Sequence, residues 1–404
     1  MRKLYEKDWK YSWGRIGVDD VTRSMFSAIT SEGKENVPED GAVLLAPNHC
    51  NTVMDALLIL QDWKEATLFG ARADIFRKPL VNKILRFLRI LPLPRSRDGA
   101  KAVLANRSTM DEVIECLDHG MRYCMFCEGT HRPMHSLLPL KKGLVRTALL
   151  ANERIGSRKP VYIVPVGLEY QDFYRIRTPV RIRYGEAINV TGFVASNPEL
   201  PESRIYRALL DQIRERLSSL ITCLPDDGTY EGRWAMAKVA GAEAATTAAE
   251  EDIRKAEDFE RKRRSERLSS WSFGKEKPVR AVALRCVVAL LLLPLILFAT
   301  VVSAPMWLLA EWLTGRIKDK AFVRTARFGV KFVMMPLMLV IWAFAFSQLF
   351  PPAWACVALP LSLGSFTVFY ETLERGRVLV SDIRLLSGHD ALKKSYELLK
   401  TKRI

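Results

Sequence analysis

Short apolar runs and stretches of helical period alternate along the first half of the chain. Residues 43–46 form an apolar run ended by Pro47, and 67–70, 123–126 and 161–166 are similar, so all four read as buried strands. Residues 180–184 add a more polar strand. Between the runs, apolar positions recur at helical spacing over 54–63, 81–88 and 110–117. A helix over 201–220 follows, with Ile205, Leu209, Ile213, Leu217 and Leu220 on one side, and it closes the domain. Strands alternating with helices predict an α/β domain over residues 36–222. Before it, residues 1–35 carry Trp9, Trp13, Ile16, Val21 and Met25 among basic residues. This segment is either an interfacial amphipathic element or a helix packed on the domain.

The pattern changes after residue 222. Residues 223–284 read as a charged helical linker, alanine-rich over 235–249 and almost solidly charged over 250–267. That charged run predicts a solvated or membrane-facing helix. From Cys286 to Ala310, and again from Phe332 to Tyr370, no residue is charged. Since a helical span needs about 20 apolar residues, the second stretch is long enough for two spans, 332–349 and 353–370, joined at Pro351-Pro352. Residues 285–371 are therefore expected to form a membrane domain. Basic residues crowd before 286, between 314 and 331, and again in the tail 372–404. The positive-inside tendency draws all three regions to the cytoplasm. Two full spans plus a re-entrant or interfacial element over 286–310, bent at Pro294, satisfy it, with a basic cytoplasmic tail; a further span over 286–310 is the alternative.

Composition narrows the class. Lys and Arg number 61 against 45 Asp and Glu in 404 residues, a formal charge of +16. Phosphorylated substrates and anionic membrane lipid suit that balance. No recognition motif accompanies the basic runs, so no nucleic-acid partner is expected. The 7 cysteines are irregularly spaced and form no disulfide framework, which fits a reducing, cytoplasm-facing compartment. Charges follow Met1 without an apolar core, which predicts no secretory signal.

Four blocks carry candidate chemistry. In the first, Asn48-His49 follows the end of a buried strand and Asp55 lies at the next helix start. A neutral imidazole there can take a proton from a hydroxyl, and a carboxylate can hold its tautomer. Taken alone, the block fits a helix-capping Asp beside an incidental His equally well. In the second, Arg95 and Arg97 flank a turn suited to binding phosphate. The third runs from Met125 through Glu128, Gly129, Thr130, His131 and Arg132, an apolar strand entering a polar turn. His131 and His135 suggest a metal, but Pro133 separates them and no third ligand is evident, so no metal is expected. The fourth, Val161 to Gly167, is a buried strand interrupted by Pro165.

In this order the four blocks resemble the phospholipid/glycerol acyltransferase family, the group of glycerol-3-phosphate and 1-acylglycerol-3-phosphate acyltransferases, over about residues 36–222. The family's blocks are NH-x4-D, a turn ending in Arg, F-P-E-G-T-R-S, and an apolar strand with V-P-V or similar. This chain departs by placing five residues between His49 and Asp55, Cys127 where Pro is usual, and His131 before Arg132. The longer spacing is similar to that of fungal-type glycerol-3-phosphate/dihydroxyacetone-phosphate acyltransferases. What the resemblance implies is a membrane-bound O-acyltransferase of phospholipid biosynthesis, with its catalytic domain on the cytoplasmic side. Acyl-CoA or acyl carrier protein would be the co-substrate, a glycerol-phosphate type compound the acceptor, and no cofactor would be needed. His49 would deprotonate the acceptor hydroxyl and Asp55 orient His49. Arg95 would clamp the acceptor phosphate, helped by Glu128, Gly129, Thr130, Arg132 and Arg97. The alternatives are a transacylase or an acyltransferase for another lysophospholipid, and, in another class, a non-catalytic membrane lipid-binding or scaffold protein. The spacing sets a geometric condition: one extra residue turns a helix by about 100°, so His49 and Asp55 meet only if the turn before the helix absorbs it.

Overall fold

The fold is described from a computed structural model over residues 3–93, 100–274 and 279–402, and the side chains of 100–106 lie outside the description. The chain divides into two compact units. One comprises 1–221 together with 319–325, and the other comprises 222–318 and 326–404.

In the first unit, among the described residues, eight strands form one sheet: β1 (Phe26–Glu32), β2 (Ala42–Pro47), β3 (Thr67–Arg72), β4 (Ile90–Leu93), β5 (Arg122–Cys124), β6 (Val161–Tyr170), β7 (Thr178–Tyr184) and β8 (Ile188–Asn189). Their order is β1-β7-β6-β2-β5-β3-β4, with β8 also paired to β6. β6 pairs antiparallel with β7 and β8. The other pairings are parallel. The helices are α1 (Trp9–Ser24), α2 (Val53–Asp62), α3 (Pro79–Phe87), α4 (Ala100–Asp118), α5 (Gly143–Ile155), α6 (Val190–Ala195) and α7 (Glu202–Ser219). The central strand β2 is buried along its whole length, as expected of a parallel strand covered on both faces. Ala42, Leu44 and Ala46 point, at the strand period of two, into a core with Val113 and Leu117 of α4, Leu144 and Ala148 of α5, and Leu209 and Ile213 of α7.

Pro47 ends the β2 ladder, and the next side chain takes over. The Asn48 amide donates to the Leu168 carbonyl at 3.1 Å and accepts the Leu168 N–H at 2.7 Å. It thus copies one backbone rung between β2 and β6, buried and fully paired. This fixes where the chain leaves the sheet, one residue before His49.

The N-terminal segment is more than an amphipathic helix. α1 is capped by Asp8, whose carboxylate accepts from Lys10 and Tyr11 N–H. β1 then enters the sheet as its edge, parallel to β7. Its alternation is obscured because only Phe26 is buried and five of its residues are exposed, the pattern of an edge strand.

The second unit is helical in the described residues: α8 (Tyr230–Ala240), α9 (Ala242–Thr247), α10 (Glu250–Ser265), α11 (Val279–Leu291), α12 (Leu293–Val302), α13 (Ala304–Arg316), α14 (Val323–Leu349, its first three residues counted with the first unit), α15 (Pro352–Leu386) and α16 (Asp390–Lys400). Two helical stretches, Lys320–Leu349 and Pro352–Leu386, are long and apolar enough to cross a membrane. α11 and α12 meet at a 55° bend that suits either a broken span or a re-entrant loop, next to Pro294. α15 continues well past Tyr370, where the uncharged run ends, because the polar residues beyond are good helix formers with partners. Asp382, for example, is buried and accepts from Arg285 at 2.8 Å.

The charged run is also not wholly solvated. α10 buries a stripe of Ile253, Ala256, Phe259 and Glu260. Glu260 accepts from Arg263 at 2.7 Å and Arg264 at 2.9 Å, and from Lys238 of α8 at 3.3 Å. Burial opposes its charge, but Arg263, Lys238 and Arg264 together hold the carboxyl down to about 2. A depressed carboxyl adds stability above its unfolded value, near 4.3, and loses it as the pH falls through the folded value. Glu260 should therefore contribute about 3 kcal/mol at neutral pH. Thermal melts of the detergent-solubilised chain should show this contribution vanishing between about pH 5 and 2. Glu260→Gln should be less stable at pH 7 and show a flatter acid limb. An unchanged acid limb in the variant would refute this account.

Candidate active site

The carboxyl ends of three parallel strands, β2, β5 and β6, converge on one place, where sites in such sheets commonly form. Past β2 lie His49 and the turn into α2. Past β5 lies the loop with Glu128, and β6 ends at Tyr170.

The turn absorbs the extra residue. α2 begins only at Val53, so Asp55 is its third residue. Residues 50–52 form the turn, and Thr52 takes φ 50° and ψ −125°. A β-branched residue rarely adopts a positive φ, at a cost of about 1–3 kcal/mol. This distortion swings the first turn of α2 back over the strand end. Asp55 Oδ2 then accepts N–H bonds from Cys50 at 2.9 Å and Asn51 at 2.7 Å. A first-turn carboxylate is also favoured by the helix dipole.

The same oxygen accepts from His49 Nδ1 at 2.8 Å. With the carboxylate as acceptor, Nδ1 carries the proton of this bond, so Nε2 is the nitrogen that can act as a base in the neutral ring. Asp55 Oδ1 accepts from the Tyr170 hydroxyl at 2.7 Å. Asp55 is completely buried while the His49 side chain keeps 17% of its surface exposed. The acceptor is thus locked inside, and the ring it orients reaches the surface. Phe126 stacks on the ring at 4.2 Å, and His131 meets it edge-on at 5.5 Å.

Glu128 is buried, and its two oxygens take separate backbone donors. Oε1 accepts the His49 N–H at 2.7 Å and Oε2 the Leu138 N–H at 2.9 Å. Burial pushes its carboxyl up, and the two N–H groups pull the other way. It ties the His49 backbone to the loop after β5. Gly129 has φ 68°, the conformation that favours glycine. Gly129 and Thr130 are exposed at the turn. Arg132 N–H donates to the His49 carbonyl at 3.1 Å, and its guanidinium donates to Ser136 at 2.6 Å. Glu128, His131 and Arg132 thus all sit against His49, while Arg95 and Arg97 lie outside the described residues.

The thiol beside His49 is buried. Burial, and then the Asp55 and Glu128 charges, push Cys50 well above the usual thiol range. This argues against a thiolate nucleophile at pH 7. Cys124 and Cys127 are buried too, and burial carries Cys127 up to about 12. His135 packs its ring on Phe173 at 4.8 Å.

Sequence reasoning passed over Tyr170, which ends the long apolar strand β6. Its signal was a polar-tipped aromatic on the strand that pairs with β2. It also passed over contacts from residues 319–325, described below, which no local pattern announces.

This unit is an acyltransferase domain: residues 28–169 match the family model described as Acyltransferase. The matched stretch includes the blocks around His49, Glu128 and Val161 that resemble the phospholipid/glycerol acyltransferase family. No curated protein matches the chain in sequence. Among solved structures it is similar to the crystal structure of the 1-acyl-sn-glycerophosphate (LPA) acyltransferase PlsC from Thermotoga maritima, at 22% identity and a TM-score of 0.38, covering 53% of this chain and 83% of that one.

Glu128→Gln tests the tie. An amide must present its NH₂ group to one of two backbone donors, costing about 1–3 kcal/mol. The variant should melt earlier, and kcat should fall about tenfold or more as His49 shifts, with the acceptor KM little changed. A raised acceptor KM at wild-type kcat would instead place Glu128 on the substrate.

Proposed function

We propose that the protein transfers a fatty acyl group from a thioester donor, acyl-CoA or acyl carrier protein, to a hydroxyl of a glycerol-phosphate acceptor. Glycerol-3-phosphate is the acceptor favoured by the long His49–Asp55 spacing, with 1-acylglycerol-3-phosphate next. The observation that carries the reading is the 2.8 Å contact between a partly exposed His49 and a buried Asp55, inside the matched stretch.

His49 Nε2 takes the proton of the acceptor hydroxyl as its oxygen attacks the thioester carbonyl. Asp55 stabilises the imidazolium that forms. The tetrahedral intermediate then collapses, the C–S bond breaks, and the leaving thiolate recovers the proton from His49. Transfer is direct, and the buried, neutral Cys50 thiol takes no part. Arg132, with Arg95 and Arg97, supplies positive charge for the acceptor phosphate. The two long apolar helices hold the enzyme in the bilayer with the catalytic unit on the cytoplasmic side. The net charge of +16 favours anionic lipid around it.

The test is a transfer assay on the full-length chain in detergent or lipid vesicles. It uses labelled acyl-CoA or acyl carrier protein with glycerol-3-phosphate, dihydroxyacetone phosphate and 1-acylglycerol-3-phosphate. One acceptor should give product, and His49→Ala should lower the rate about 10²–10⁴-fold. No product with any acceptor, or an undiminished rate in the variant, would reject the assignment.

A further inference from the structure

Residues 319–325 run from the turn after α13 through the first three residues of α14, yet they fold as part of the catalytic unit. They touch it at three places around His49 and Asp55.

The first is His131. Its Nε2 donates to Asp319 Oδ2 at 2.8 Å, and Phe322 meets the ring edge-on at 5.4 Å. The same ring abuts His49. Asp319 also caps the short helical turn Lys320–Phe322, accepting the Ala321 N–H at 3.0 Å.

The second is Thr52, the residue with positive φ. Its hydroxyl lies 3.0 Å from the Thr325 hydroxyl and donates to the Ala321 carbonyl at 3.4 Å. With Thr325 donating to Thr52, both protons are used. The segment therefore grips the one strained residue that lets Asp55 reach back to His49.

The third is Arg324, completely buried. Its guanidinium donates to the Asp172 carbonyl at 2.6 Å, to the Arg175 carbonyl, and to the Thr178 hydroxyl at 3.1 Å. It lies over the rings of Phe26 at 4.6 Å and Tyr170 at 5.4 Å, within cation–π range. Tyr170 is the residue that holds Asp55 Oδ1. The Arg324 bonds to Asp172, Arg175 and Thr178 are all made from Nη2.

We propose that Arg324 and Thr325 are positioning residues for acyl transfer: Arg324 acts through Tyr170 on Asp55, and Thr325 acts through Thr52 on the turn that carries Asp55. The catalytic unit is then complete only when residues 319–325 are seated in it. This rests on the reading of His49 as the base.

The test uses the full-length chain and kcat per folded enzyme. Arg324→Lys keeps the charge but loses the planar fork, and Thr325→Val deletes a hydroxyl at constant shape. Each should lower kcat about 10–100-fold with both KM values within about twofold. Two mutant cycles separate positioning from plain stability. Arg324→Lys should cost nothing further in a Tyr170→Phe background, nor Thr325→Val in a Thr52→Val background. Losses that simply multiply, or wild-type kcat in folded variants, would overturn the proposal. If Arg324→Lys fails to fold, the Thr325 cycle decides alone. A wild-type chain that acylates no glycerol-phosphate acceptor would instead defeat the functional reading, a result distinct from either.

Discussion

The catalytic unit is organised around one buried carboxylate. Asp55 has no solvent to share its charge, so its stability depends on the donors that surround it. It finds two backbone N–H groups, a phenol and an imidazole. Those four bonds dictate the local chain path. They fold residues 50–52 into a turn, start α2 at Val53, and aim the His49 ring outward. The strain at Thr52 sits in the same turn, directly before the helix start that carries Asp55.

The rest of the unit supports this arrangement in layers. The Asn48 amide holds the chain to β6 as it leaves β2, Glu128 holds the next N–H, and Arg132 takes the next carbonyl. His49 is thereby gripped at both backbone polar groups as well as at Nδ1. Such preorganisation matters because a proton-abstracting group gains rate only when it is already placed. Two of these supports, Asn48 and Glu128, belong to motif blocks, and both hold the backbone in place.

Much of this was legible in the sequence. The buried strands β2, β3, β5 and β6 stood out as apolar runs, and the ordered blocks resemble an acyltransferase family whose model matches residues 28–169. The His49–Asp55 pairing was legible as a question, because the spacing stated what the turn had to do. Other parts left no local trace. β1 is an edge strand with a single buried residue, so its alternation is silent. Tyr170 reads as one more apolar residue until the sheet places it beside Asp55. Arg324 is one of six basic residues between 316 and 331, and only the tertiary fold buries it. The long apolar helices were plain from hydropathy, but α15 runs on to Leu386 through polar sequence that carries no membrane signal.

The central claim is that the Asp55 carboxylate, by its charge, makes His49 an effective base. Asp55→Asn isolates it, because the amide is isosteric. Its oxygen can accept from His49, Cys50 and Asn51, while its NH₂ group donates to a reversed Tyr170 hydroxyl. The measurement is steady-state kinetics of the folded variant with both substrates varied. The account predicts KM values near wild type and a kcat lower by about 10²–10⁴-fold. A folded Asp55→Asn enzyme turning over at the wild-type rate would contradict it.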